Sequence, residues 1–483
     1  MSGENVVQRF LNLVGQISTE AVTWKVRSCF FISKIVRNGA GVRRWVYLIL
    51  AFFLILNSSA IGQKLNANSY QLTIDELVQF AKNQNKWAEA AAIAQDASGK
   101  DLKDVYIAAF PTITVNSSYQ RFSGLTLFTE GLSHATTMPR KPGPNAASFG
   151  IEVLYSIYGG GRQVALREEA GSRYKLAKIN AQEVSSSIGL QTALEYLDLV
   201  RLNDHEIFIK DELKRAETRL NNINALYRNQ KVTRSDVLRA EVNLSNVELS
   251  LQQNQNDIAI SNRKLTVLLN VPDSLRILPL DSAGMPKPET CSLYGMIEDA
   301  GDNSFSIQKA VESIEVQKAK LSFLRSGNRP SLSFYGGYGM NYPNNLFYPP
   351  VDQAYAIGFA GLKAQYSISS LYHNKSKVEA GKLRIKESQV QRQAYQDNVM
   401  TEITGYFIRY SEALTRISVN ERSVEQAMVN YRIVNTKYLN QLSLLTDLLD
   451  ADNLYQESRF NLLRAQTDAL KIYYHILYSS GHL

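Results

Sequence analysis

Two stretches of the chain, 145–271 and 351–483, contain no proline, and within them apolar residues step by three and four. Leu213, Ala216, Leu220, Ile223 and Tyr227 form one seam, Val424, Ala427, Tyr431, Val434 and Tyr438 a second, and Val237, Ala240, Leu244, Val247 and Leu251 a third. A seven-residue repeat of this kind is the seam of a coiled coil. Because proline in a helix interior costs ~3 kcal/mol, proline-free tracts can stay helical throughout. The pattern predicts helices over about 162–229, 234–268, 376–440 and 445–479. At 1.5 Å per residue the first spans roughly 100 Å. Thr73-Ile74-Asp75-Glu76 is a capping box that opens a further helix to about Ala108, with a counterpart expected over about 292–327. The shorter helices of each half add up to nearly one long helix, so two of them stacked end to end can pair along it. A soluble helical bundle accounts for the seams equally well.

Between the helices the period changes to two. Ile113, Val115 and Tyr119 alternate with Thr114, Asn116 and Ser118, and Phe149, Ile151, Val153, Tyr155 and Ile157 alternate with Ser148, Gly150, Glu152 and Ser156. In the second half Leu332, Phe334, Tyr338 and Met340 face one way, and Tyr355, Ile357 and Phe359 begin a fourth strand whose phase slips near Gly361, where a bulge is expected. Pro111 stands at a strand opening, where its missing N–H does no harm.

The two halves are copies. At an offset of 211, Tyr227, Asn229, Gln230, Asp236, Leu238 and Ala240 recur as Tyr438, Asn440, Gln441, Asp447, Leu449 and Ala451, six identities in fourteen positions against about one by chance. Tyr155-Ser156-Ile157 recurs as Tyr366-Ser367-Ile368. Nearer the start of each half the offset is 219, as in Pro111 and Pro330 or Tyr119 and Tyr338. Each copy has the order helix, two strands, long helix, shorter helix. The expected division is a leader over 1–62, a first repeat over 63–272, a linker over 273–291 and a second repeat over 292–483.

Four strands of about ten residues, each with one Tyr- and Phe-rich face, have the length and alternation of a transmembrane barrel wall. Four cannot close. An open sheet in lipid leaves two edges of unpaired amides and carbonyls, each costing several kcal/mol. At least eight strands are needed, so the chain must oligomerise. Small residues on the opposite face (Ser148, Gly150, Ser331, Ser333, Gly337) suit a wet interior. The competing reading is an exported coiled-coil scaffold or interaction protein whose strands form a soluble cap.

Composition adds a compartment. Of 483 residues, 26 are Tyr and 18 Phe, and only Cys29 and Cys291 are cysteine, which excludes a disulfide scaffold. Arg43 and Arg44 precede a twelve-residue apolar run, Trp45 to Leu56, followed by small residues, with cleavage after Ala60 or Gly62 as alternatives. This is an export signal, too short for a spanning helix. Residues 1–62 carry seven Lys/Arg and two acids, so most of the formal +8 belongs to the leader and about +3 remains on the mature chain. No nucleic-acid partner is implied.

The element order, the duplication and the motif Tyr438-x-x-Gln441-x-x-x-x-x-Asp447-x-Leu449-Asp450-Ala451 resemble the TolC family of outer-membrane efflux proteins, over residues from about 70 to the C-terminus. The resemblance implies an α+β membrane protein. The implied assembly is a homotrimer in the cell outer membrane, each chain giving four strands to one twelve-stranded transmembrane β-barrel and its helices to a long periplasmic coiled-coil tunnel. It implies a passive exit duct of a tripartite efflux pump or a type I secretion system, carrying small molecules or polypeptides outward. The implied partners are outer-membrane lipid, a periplasmic adaptor (membrane fusion protein) and an inner-membrane transporter of RND, ABC or MFS type. The helix-to-helix turns would form the entrance and the adaptor-docking tip: Tyr227, Asn229 and Gln230 in one repeat, Tyr438, Asn440 and Gln441 in the other. Asp447 and Asp450, with Asp236, would be the entrance acids. The first two share a helix face, and a ring of them would favour cations and raise some of its own pKa values. The family usually has glycine where Gln230 and Gln441 stand and often a basic residue where Ser443 stands, a role Arg234 could take. The acids can equally be read as caps of a helix start. Loops 123–146 and 341–353 would face outside the cell.

No catalytic constellation emerges. Gly159-Gly160-Gly161-Arg162 lacks the Gly-Lys-Ser/Thr of a phosphate loop and reads as a turn leaving the second strand. Asp204-His205-Glu206 lies within a helix, where neighbours point apart. The five histidines have no ligand spacing, and Cys291 reads as an inert thiol. No enzyme activity, cofactor or metal is expected.

Overall fold

The computed structural model describes residues 69–123, 144–284, 295, 300–301, 303–343 and 352–483. The leader, Cys291 and most of both hairpin loops lie outside the described residues. The elements are β1 (Ser69–Leu72), α1 (Ile74–Gln84), α2 (Lys86–Ile107), β2 (Thr112–Arg121), β3 (Asn145–Tyr158), α3 (Arg162–Arg228), α4 (Arg234–Leu268), β4 (Arg276–Pro279), α5 (Phe305–Ser326), β5 (Ser331–Tyr342), β6 (Tyr355–Gln365), α6 (Ser370–His373), α7 (Lys375–Leu439) and α8 (Leu445–Ser479).

The duplication is metrical. α2 and α5 differ by 219 at both ends, and α4 and α8 by 211 at both ends. α2 and α4 pack along α3, and α5 and α8 along α7, the end-to-end pairing that the lengths require. The repeats are joined because α3 also packs on α5 and α8.

Three expectations change. The helix from Thr73 is not continuous to Ala108: Asn85 is extended (φ −69°, ψ 137°), its side chain accepts from Trp87 N at 2.8 Å, and its amide donates to Leu268 O at 2.8 Å. A side chain that satisfies the orphan N–H groups of a new first turn makes a helix start here as stable as continuation. The repeat-related Ser304 is likewise extended before α5, which is shorter than the span 292–327; residues 292–294, 296–299 and 302 lie outside the described residues. Residues 276–279, inside the expected linker, form β4, paired in parallel with β1 from Ser69↔Arg276 to Leu72↔Pro279.

The third change concerns the four-stranded sheet, ordered β2-β3-β5-β6 and antiparallel throughout. Its register runs unbroken through Tyr335↔Gly361, so there is no bulge at Gly361; the shift lies in β3, between Ser156 and Tyr158. The apparent slip in β6 has another cause. Register puts Ile113, Val115, Phe149, Ile151, Val153, Phe334, Tyr338 and Met340 on one face with Leu362, but Tyr355, Ile357 and Phe359 on the opposite face with Ser331, Ser333 and Gly337. β6 therefore presents Ala356, Gly358, Ala360 and Leu362 to the apolar side. That side is bare in the single chain: Ile113, Tyr338 and Leu362 are 67%, 66% and 65% exposed.

The main core lies where the middle of α3 meets α1, the end of α4 and the end of α8, around Leu77, Tyr196, Leu197, Leu199 and Leu265. The Tyr196 hydroxyl lies 2.8 Å from Leu72 O and 2.9 Å from Asp281 Oδ2, and the same carboxylate accepts from Ile74 N at 2.9 Å. One buried group thus fixes the start of α1 against the β1–β4 clip. Between β3 and α3, Gly160 (φ +67°) leaves no room for a side chain, since a Cβ would lie 2.6 Å from Ser326 O. The glycine run is the turn its sequence suggested.

Candidate functional site

The helix-to-helix turns are built alike in both repeats. Asn229 caps the end of α3, and Lys231 N donates back to Leu226 O at 2.9 Å; Asn440 caps α7, and Leu442 N donates to Lys437 O at 2.8 Å. Such six-to-one closure needs a left-handed residue. Gln230 (φ +56°) and Gln441 (φ +61°) supply it, so the turn geometry survives the loss of glycine at some strain. Gln230→Gly and Gln441→Gly are each expected to raise stability by about 0.5 kcal/mol, read as a higher denaturant midpoint.

The acids next to these turns act as caps. Asp236 Oδ2 accepts from Thr233 N at 2.9 Å and from Thr233 Oγ1 at 2.7 Å. Asp447 Oδ2 accepts from Leu444 N at 3.0 Å and Ser443 Oγ at 2.8 Å, which hold its carboxyl below the usual carboxylate range. Within one chain this is the reverse of the upward shift expected for a ring of acids. Stability from this cap is present above the unfolded carboxylate pKa and lost as pH falls through the lowered value. Ser443, standing where the resemblance implies a basic residue, is a cap donor instead. Asp447 and Asp450 are both exposed, one turn apart, while Leu445, Leu448 and Ala451 turn to the core. Tyr227 is exposed. Tyr438 packs with Ile223, Val237, Ala240 and Leu445, so the two turns meet in a small apolar core. Burial, with the Asp236 charge nearby, pushes the Tyr438 phenol up.

A second cluster one turn deeper is absent from the sequence reading. Asp452, 3% exposed, bonds Arg219 Nη2 and pairs with Arg215 at 3.4 Å; Arg219 Nη1 donates to Asn243 Oδ1 at 3.3 Å. Burial, then the Asp452 charge, raises the carboxyl of Glu212. This cluster ties α3 of the first repeat to α8 of the second. Its one signal in the sequence is an arginine on the buried side of the α3 seam, between Ala216 and Ile223. The other polar candidate is structural: His205 packs at a tilt against Phe460, with ring centres 4.7 Å apart, and meets Asn254 Oδ1 at 3.2 Å. Among the described residues no group of acids, histidines and cysteines could hold a metal, and no helix is long and apolar enough to cross a membrane.

Residues 77–271 match the family model described as Outer membrane efflux protein. Solved structures share the fold over most of their length. Outer-membrane protein VceC of Vibrio cholerae is 14% identical, with a TM-score of 0.68 over 84% of this chain and 96% of its own. The CmeC outer membrane channel of Campylobacter jejuni is 16% identical (TM-score 0.68, 85% of each chain), and the Neisseria gonorrhoeae MtrE outer membrane channel, solved in an open state, 17% (0.65, 85% and 89%). Over residues 77–271 the chain is thus similar to the outer-membrane efflux proteins, and over most of its length it has the fold of these channels. No curated protein matches it by sequence. The four-stranded sheet and the long helices belong to that shared fold.

Proposed function

We propose that the protein is the passive exit duct of a tripartite efflux pump or type I secretion system, assembled as a homotrimer and engaged by a periplasmic adaptor and an inner-membrane transporter. The observation that carries this reading is a four-stranded sheet with an apolar face, open at β2 and β6, joined to helices of 67 and 65 residues. Three copies give twelve strands and remove both edges, whereas a soluble cap would leave the apolar face bare in water. The helices, roughly 100 Å long, suit a tunnel. The division into leader, first repeat, linker and second repeat at 62, 272 and 291 belongs to this reading, as does an outward orientation of the two hairpin loops. The tip turns with Tyr227, Asn229, Gln230, Tyr438, Asn440 and Gln441 form the adaptor-docking end, and Asp447, Asp450 and Asp236 lie at the entrance.

Reconstituted in a planar bilayer, the protein is expected to pass ions with a preference for cations. Asp447→Ala with Asp450→Ala is expected to reduce that preference about two- to threefold, because exposed carboxylates of a pore mouth set its local potential. Unchanged selectivity would remove the acids from the entrance, and a wild-type protein that stayed soluble without detergent would end the duct reading.

A further inference from the structure

The polar face of the sheet carries aromatic rings on one side only. On β2 and β3 that face reads Thr112, Thr114, Asn116, Ser118 and Ser148, Gly150, Glu152, Leu154, whereas β5 and β6 bring the rings of Tyr335, Tyr355 and Phe359 to it, with Ile357. Two of these rings lie down on glycines. Tyr335 covers Gly361, where an added Cβ would meet its hydroxyl at 2.9 Å, and Phe359 covers Gly337, whose Cβ would lie 3.0 Å from Cζ. The two rings stand 5.9 Å apart and remain 40% and 52% exposed. Phe359 thus leans across β5 towards β3, and the β3 partner of Gly337 is Glu152. Glu152 is exposed and forms no ion pair among the described residues. Ring faces attract cations through their quadrupole, and a neighbouring carboxylate adds the charge that an anion would reject.

We propose that Tyr335, Phe359 and Glu152 form a transit site on the lumen wall of the barrel for aromatic organic cations, one per copy. The inference rests on the duct reading, which makes this face the inner one. Sequence alone points the other way, because it would place the aromatics of β6 in lipid.

The test is current through the reconstituted full-length protein with three added probes: ethidium, which has rings and positive charge; tetraethylammonium, which has charge alone; and naphthalenedisulfonate, which has rings and negative charge. Ethidium is expected to reduce the current at about tenfold lower concentration than the other two. Phe359→Leu, which keeps Gly337 covered, and Glu152→Gln are each expected to raise that concentration about fivefold. Equal effects of ethidium and tetraethylammonium, or an ethidium effect that neither variant moves, would overturn the site and leave the duct intact. Absence of any ion current in the wild type would remove the duct reading and the site together.

Discussion

Asp452→Ala is expected to cost about 3–5 kcal/mol, because it strands the buried Arg219 and removes the carboxylate paired with Arg215. Arg219→Ala should cost less, since Arg215 remains to neutralise Asp452. The double change Arg219→Leu with Asp452→Leu should recover much of the loss, as apolar replacements of buried pairs often do. Guanidinium unfolding followed by the helical circular-dichroism signal distinguishes these, and a cost for Asp452→Ala below about 1 kcal/mol would show the pair to be hydrated in solution. The pH dependence carries a second signature. Glu212 is raised when folded, so its contribution is full below the unfolded carboxylate pKa and lost as pH rises through the folded value. Part of that rise comes from Asp452, so the alanine variant should lose less stability across this window.

Ile151→Arg should abolish assembly. Ile151 sits at the centre of the apolar face, opposite Val115 on β2 and Tyr338 on β5, where an arginine near mid-bilayer costs about 2–4 kcal/mol. In the proposed trimer the penalty is incurred three times in one assembly. Asn116→Arg, one pair away on the other face opposite Gly150, should leave the trimer nearly unaffected. The measurement is the heat-dissociable trimer band in outer-membrane fractions; equal yields of the two variants would invert the assignment of faces.

The helices were legible because two independent signals agreed. Seams stepping by three and four and the absence of proline gave α3, α4, α7 and α8 to within a residue or two. The break at Asn85 was not, because one polar residue in an otherwise helical run reads as a solvated position until its partner, Leu268 O, is brought 183 residues through the chain. The orientation of β6 was missed for a related reason. Alternation separates the two faces of a strand but says nothing of which face a neighbour aligns with; that depends on register, which slips by one residue to exchange the faces. Ala356, Gly358 and Ala360 look like a lumen set and lie on the apolar side of the sheet. The capping role of Asp447 was among the readings weighed, while the Arg219–Asp452 pair was hidden because an arginine beside a seam normally extends into water.

The clip between β1 and β4 bears on how the molecule comes into being. Its two strands begin at Ser69 and Arg276, and the associated contact of Ile74 with Asp281 spans 207 residues. A polypeptide threaded across a membrane from its amino end delivers Ser69 early and Arg276 much later, so β1 must wait, unmatched, while the whole intervening repeat emerges. Parallel pairing at such separation is slow to find. Until it forms, the incipient first repeat is an open loop whose exposed strands need shielding from one another and from other nascent copies.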